Sequence, residues 1–271
     1  MKTTLTAFAI VVLLAGRAFA GAWVQNEGGY FLDPAYYHYE TGHYWDNQGT
    51  KKPIGCSTGT GNCTFSKNEL NLYGEYGLTP ANTLTFQTAF DSLTWGNAST
   101  SGLTDIKLGL IHNIETDSSG SLSVQGVLIA PTGYSISSTP RLGYDRLGVQ
   151  ANMLYGRSFK NGFIDTLAGV RHYFGYPSDQ LRLTALLGYD LTSYLQLLPI
   201  LDVQWGLGNE SHETIGQNPY LGAYYKLIQT GSSLRIKFSD GFSAVTGLTA
   251  PVWGRNTGGG FQYNAGIWYA F

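Results

Sequence analysis

Phe261-Gln262-Tyr263-Asn264-Ala265-Gly266-Ile267-Trp268-Tyr269-Ala270-Phe271 ends the chain, and its reading decides the fold. Every second residue, counted back from the end, gives one face: Phe271, Tyr269, Ile267, Ala265, Tyr263 and Phe261. The other face, Ala270, Trp268, Gly266, Asn264 and Gln262, is smaller and more polar apart from Trp268. Successive side chains of a β-strand point to opposite sides. A strand that is greasy along one whole side, with aromatics at both ends, suits a barrel wall between lipid and a polar interior. A soluble β-sandwich strand also alternates, so the rest of the chain has to decide between the two.

A chain closing on Phe271, with Tyr269 two residues before it, resembles the C-terminal signature of Gram-negative outer-membrane barrels. The resemblance implies that Tyr269 and Phe271 are an assembly signal read by the barrel-assembly machinery, and that the partner of the outer wall is outer-membrane lipid. The N-terminus agrees. Lys2 is a basic start, Leu5 to Gly16 is apolar, and Ala18-Phe19-Ala20 is a small-x-small cleavage pattern. This predicts a signal peptide over residues 1–20, removed from a single barrel domain of residues 21–271. About a dozen apolar residues, ended by Arg17, fall short of the roughly 20 a membrane-spanning helix needs. No Cys follows the cleavage point, which disfavours a lipoprotein.

Composition narrows the class further. Charged residues are 13% of the chain, about half the usual ~25%. Gly, at 36 of 271 residues, is nearly double its common share of about 7%, and there are 19 Tyr and 6 Trp. Mean hydropathy of -0.09 excludes a membrane helix bundle. A net charge of -2 with no basic stripe argues against a nucleic-acid partner. Cys56 and Cys63 lie in a Gly/Ser/Thr-rich loop, and an oxidising periplasm predicts a local disulfide between them. No further ligands sit near that pair to build a metal site, and no cofactor is expected.

Alternation and turn chemistry then predict an all-β, antiparallel up-and-down transmembrane barrel of about twelve strands, with ten as the competing count. The strands are expected over residues 30–40, 67–76, 83–95, 103–114, 121–132, 147–156, 163–174, 181–189, 194–206, 225–238, 243–253 and 261–271. Pro34 suggests a bend or weak pairing in the first. Residues 41–65, 96–102, 133–146 and 207–224 read as outer loops.

The inward face then carries the acids Glu69, Glu75, Asp91, Asp105, Asp165, Asp190 and Asp202. It also carries the bases Lys67, Lys107, Arg171, Arg182, Arg235 and Lys237. A nearly balanced set fits either a lumen packed with ion pairs or a narrow polar channel. Glu69, Glu75, Asp105, Lys107, Asp202, Arg235 and Lys237 are the candidate lumen contacts. Loops 41–65, 133–146 and 207–224 would screen the mouth of a passive channel for a small-molecule solute. Two alternatives stand beside it: a structural or adhesive barrel working through its loops, and a lipid-modifying enzyme. The enzyme would need a nucleophile beside a His at the rim. His38, His43, His112 and His172 are scattered, and Ser211 beside His212 is no motif, so no catalytic residue is assigned.

Short stretches also resemble the exported barrel family named for the meta-pathway of phenol degradation. They are Gly74-Glu75-Tyr76-Gly77-Leu78-Thr79, Gly102-Leu103-Thr104-Asp105-Ile106-Lys107-Leu108-Gly109, Ala130-Pro131-Thr132-Gly133 and Gly254-Arg255-Asn256-Thr257-Gly258. The resemblance runs over most of the chain and rests on turns and barrel edges. It implies an outer-membrane barrel that moves aromatic or other hydrophobic compounds. The Cys56–Cys63 loop is not part of it.

Overall fold

The computed structural model describes residues 21–57, 59, 61–209, 218–219 and 222–271. The expected signal peptide, and Ser211 and His212, lie outside them. Twelve antiparallel strands close into a barrel. They are β1 (Tyr30–Thr41), β2 (Phe65–Thr79), β3 (Asn82–Trp95), β4 (Ile106–Thr116), β5 (Gly120–Ala130) and β6 (Gly148–Phe159). β7 (Gly162–Tyr173), β8 (Gln180–Asp190), β9 (Leu195–Gly206), β10 (Lys226–Ser239), β11 (Phe242–Arg255) and β12 (Phe261–Ala270) complete the wall. Each pairs with its neighbours in sequence, and β12 returns to β1 through pairs such as Phe31–Ala270 and Glu40–Phe261.

One side of this wall is oily. On β12, Tyr263 is 54% exposed and Tyr269 43%, while Trp268 between them is 3% exposed. Leu70 and Leu72, Leu84 and Phe90, Leu108 and Leu110, and Val149 and Met153 continue the outward belt around the barrel. Aromatic side chains gather at the end with the short turns, where Tyr30 stacks on Tyr76 and Phe242 meets Tyr269. Trp205 and Trp253 stack at the opposite end. An apolar belt with aromatic rims is the surface a bilayer requires.

Three features differ from the sequence expectation. Ala98 to Gly102, expected in an outer loop, and Leu103, expected to start the fourth wall strand, instead form a short strand, Ala98–Leu103, that pairs with the upper part of β3, and the wall strand starts at Ile106. The loop after β1 contains a small sheet, in which His43–Trp45 pairs with Lys51–Pro53 and with Thr257–Gly258. Asp46 closes its turn, accepting from the Gln48 and Thr50 amides and from Lys52. The Lys52 ammonium and those amides hold its carboxyl at about 2. Pro34 does not weaken the pairing of β1 with β2, where it faces Leu72. Its effect falls on the β12 side, where the register skips Asp33 and Pro34, as a residue without an N–H dictates.

Cys56 and Cys63 are disulfide-bonded. That loop folds back on the barrel end: Trp95 Nε1 donates to the Gly55 carbonyl at 2.7 Å. Ile54 is buried with Tyr39, Phe65, Leu93, Trp95 and Leu142.

The chain before β1 turns into the barrel. The Ala22 carbonyl accepts from the Ser121 and Ser123 hydroxyls, and the Gln25 amide donates to Thr83 Oγ1 at 2.8 Å. The Gln25 side chain donates to Glu75. Trp23 meets Phe163 edge-on with ring centroids 6.2 Å apart, and Ala22 is buried with Ile111 and Leu154. Two strand glycines make room for it. A Cβ on Gly77 would lie 1.9 Å from the Asn26 carbonyl oxygen, and one on Gly156 would lie 2.5 Å from the Trp23 ring.

Two outcomes follow from this architecture. Met153→Arg, placing a charge mid-strand on the lipid side, should lose about 2–4 kcal/mol in denaturant titration of the bilayer-inserted protein. An unchanged midpoint would contradict the outward assignment. The double variant Gly77→Ala, Gly156→Ala should leave the barrel folded yet release residues 21–26, seen as new protease cleavage in that segment. Continued protection would show that the segment is not seated there.

Candidate functional site

The interior is divided along the barrel axis. In the half toward the short turns, Phe31, Leu186, Leu198, Val245 and Trp268 form an apolar cluster. The expectation of a polar interior therefore fails here. The reason lies in the alternation, which puts every second residue inside whatever its polarity, and these five happen to be large and apolar. The N-terminal segment occupies the same half beside them.

Several candidate lumen residues are built into this packed half. Glu75 is 3% exposed and bonded to Gln25 and to the Tyr73 hydroxyl. Asp165 accepts the Ala22 amide, and Asp33, which the sequence reading omitted, bonds Trp268. Arg235 donates to Ser243 Oγ at 3.0 Å and lies over the Trp268 ring, 5.0 Å from its centroid. Lys237 pairs with Asp190 at 2.7 Å. These groups hold the wall and the inserted segment in place.

A second group lies further along. Lys67 pairs with Glu69, which also accepts from Asn71, and Asp91 faces Glu69 across β2 and β3. Asp202 is the hub on the other side of the barrel. It accepts from Thr184 at 3.0 Å, Gln204 at 2.7 Å and Gln229 at 3.2 Å, with Arg182 3.9 Å away.

At the same level, under the long loops, the interior opens into a cavity of about 230 Å³. Lys107, Arg171 and Arg182 line it with Asp105, and the loop residues Leu142, Gly143 and Tyr144 roof it. Tyr173 and Tyr225 supply aromatic wall. Tyr144 packs edge-on against Tyr173 and Tyr176, with centroids 5.5 and 5.7 Å away. Asp105 sits just before β4 and accepts the Tyr134 hydroxyl of the same outer loop. Lys107 Nζ donates to Gln87 Oε1 at 3.2 Å, and Arg171 Nε to Gln150 Oε1 at 2.6 Å.

Of the seven candidates chosen from sequence, the structure brings Asp105 and Lys107 to one cavity and Asp202 to its edge through Arg182. It places Glu69 beside Lys67 on the upper part of β2, within electrostatic reach of Lys107, and Glu75, Arg235 and Lys237 in the packed half. Arg171 and Arg182 were on the inward list but were not singled out. Tyr173 has the same inward parity on β7 as Arg171, a legible signal. Tyr144 comes from a loop, where no periodicity marks it.

Among the described residues, no group of three or more His, Cys, Asp and Glu side chains is placed to hold a metal ion. The exposed His112 and His172 bond Asn82 and Asp179.

No known family profile matches the sequence, and no curated protein matches it either. Solved structures do. A COG4313 outer membrane channel from Pseudomonas putida F1 superposes with a TM-score of 0.74 at 18% identity, covering 92% of this chain and 98% of that one. The NanC porin superposes with a TM-score of 0.53 at 9% identity over 88% of this chain and 98% of its own. The translocator domain of the autotransporter NalP from Neisseria meningitidis gives 0.52 at 14% identity, over 91% of this chain and 90% of that one. At these identities the likeness is one of fold: a closed transmembrane β-barrel.

Proposed function

We propose that the protein is a passive outer-membrane channel for small molecules, exported by a signal peptide cleaved after Ala20 and folded with the help of Tyr269 and Phe271. The observation that carries this reading is the division of the interior. A wall facing lipid encloses a polar cavity under the long loops, and the opposite half is filled by apolar side chains and by residues 21–25. A barrel serving only as a loop platform would gain nothing from an unfilled, charge-lined space, since empty volume and buried charge both cost stability. Two structures of like fold support the reading, one named an outer membrane channel and one a porin.

In this account the solute enters beneath loop 131–147 and meets Asp105, Lys107, Arg171 and Arg182. It then passes Asp202, and leaves only when the N-terminal segment gives way. Movement is diffusive, because nothing in the reading supplies energy. Residues 21–25 are held by five hydrogen bonds among the described residues and by the buried Ala22 and Trp23 side chains. Each bond is worth roughly 0.5–1.5 kcal/mol net, a barrier that thermal opening can cross.

Planar-bilayer recording tests the proposal. The native chain should give small, intermittent openings, and a variant lacking residues 21–26 should conduct severalfold more, with the openings sustained. Silence from both proteins, each shown to be inserted and folded by its heat-dependent migration on a gel, would contradict the channel reading.

A further inference from the structure

The sequence gives the inward face nearly equal numbers of acids and bases, but the fold does not mix them evenly. Around the cavity under the long loops, Lys107, Arg171 and Arg182 face a single lining carboxylate, Asp105. Arg182 has a distant partner in Asp202, which three other donors already use. Lys107 and Arg171 have no carboxylate within 4 Å among the described residues; Lys107 donates to the Gln87 amide, and Arg171 to the Gln150 amide and the Tyr173 hydroxyl. Glu69 and Asp91 reach Lys107 from β2 and β3 beside their own Lys67, so the wider ring is near balance and the positive excess is confined to the described lining, three half-buried cations to one carboxylate. Taking such cations out of water costs free energy that a counter-charge in contact offsets. A site that keeps them is arranged for an anion from outside.

The rest of the lining says what kind of anion. Tyr173, Tyr225 and Tyr144 give flat apolar faces, and Leu142 and Leu227 add aliphatic surface. Arg171 and Arg182 carry planar guanidiniums, whose paired N–H groups match a carboxylate. The volume, about 230 Å³, lies below the ~300 Å³ at which pockets for drug-sized ligands begin. A molecule with one ring and one carboxylate fits these limits. A bare inorganic ion would leave the tyrosine faces unused, and a neutral hydrocarbon would leave the cations uncompensated.

We propose that this cavity is a binding site for a small planar carboxylate, its anionic group held by Lys107, Arg171 and Arg182 and its body against Tyr173 and Tyr225. The inference rests on the channel reading for its place in a transport path, though binding itself does not require conduction. The other charges facing the site are Asp105, which opposes the ligand, Asp202, which moderates Arg182, and Glu69 and Asp91, which moderate Lys107 together with Lys67. The site thus makes the outer half of the lumen anion-preferring although the chain as a whole carries a net charge of -2.

Titration calorimetry on the full refolded protein tests this, with benzoate as the probe. Benzyl alcohol serves as the neutral body and acetate as the anion without a ring. Benzoate should bind the native protein measurably and at least about tenfold more tightly than either comparison compound, the difference expected for one charge-assisted hydrogen bond or one lost aromatic contact. Lys107→Gln and Arg171→Gln should each weaken benzoate by about tenfold, and Lys160→Gln on a distant turn should leave it unchanged.

Asp105→Asn keeps a group that Tyr134 can bond and removes the repulsion, so it should tighten benzoate binding. That gain cannot come from misfolding. Equal binding of benzoate and benzyl alcohol would overturn the proposal, as would no binding to the native chain or weaker binding in Asp105→Asn. Bilayer recordings on the same samples separate the two readings. A silent protein that binds benzoate loses the channel and keeps the site, and a conducting protein indifferent to benzoate loses the site alone.

Discussion

Inside a bilayer there is no water to bond a free backbone N–H or C=O, and each one left unpaired costs several kcal/mol. Twelve strands can meet that demand only by closing, and the seam where closure is completed is the pairing of β1 with β12. Tyr30 N donates to the Phe271 carbonyl at 2.8 Å and Phe271 N returns a bond to Tyr30 at 3.0 Å. The terminal residue of the chain is thus tied into the ring at its outermost position. Where pairing lapses, the sequence is suited to it. Pro34, with no N–H to offer, lies where β1 skips its register with β12. Pro251 sits on β11 just past Thr249, the last residue there to pair with β12.

Closure fixes the bore, and the bore fixes what the inward residues must do. A barrel of this size leaves limited room, and most of it is filled. The Phe31, Leu198 and Trp268 cluster and the inserted N-terminal segment take one half. In the other half, loops packed through Leu142 and Tyr144 roof a space that none of the described side chains fills. The charges follow the same division. In the packed half they are absorbed by close partners, as Lys237 is by Asp190 and Glu75 by Gln25. In the open half two of the three lining cations bond neutral groups, Lys107 the Gln87 amide and Arg171 the Gln150 amide and Tyr173. Packing and function therefore separate along the axis, with structural polar groups below and available ones above.

The wall was legible because its signal is periodic. The final strand, the outward Leu70–Leu72 and Leu108–Leu110 pairs, the strand count and the Cys56–Cys63 bond can all be read from residues close together in the chain. What could not be read depends on height and on contacts between distant segments. An inward list counts Lys107, Arg171 and Asp165 alike, yet the first two share a cavity and the third holds Ala22 at the other end. Residues 21–25 carry no alternation, so nothing local announces that they enter the barrel. The only trace is indirect, in inward glycines at 77 and 156 where a side chain would collide with them. Ala98–Leu103 was missed because small polar residues between two turn-like glycines read as loop, and its partner residues on β3 were already assigned to the wall.

The central claim is that one side of every strand meets lipid and the other meets the interior. Spin labels attached to single cysteines at Tyr263 and Asn264, in a chain with Cys56 and Cys63 replaced by Ser, test it most directly. With the protein in bilayers, the label at Tyr263 should be relaxed strongly by oxygen, which concentrates in hydrocarbon, and its neighbour at Asn264 should be shielded from it. Equal relaxation at the two positions, or the reverse order, would contradict the barrel register on which the whole account stands.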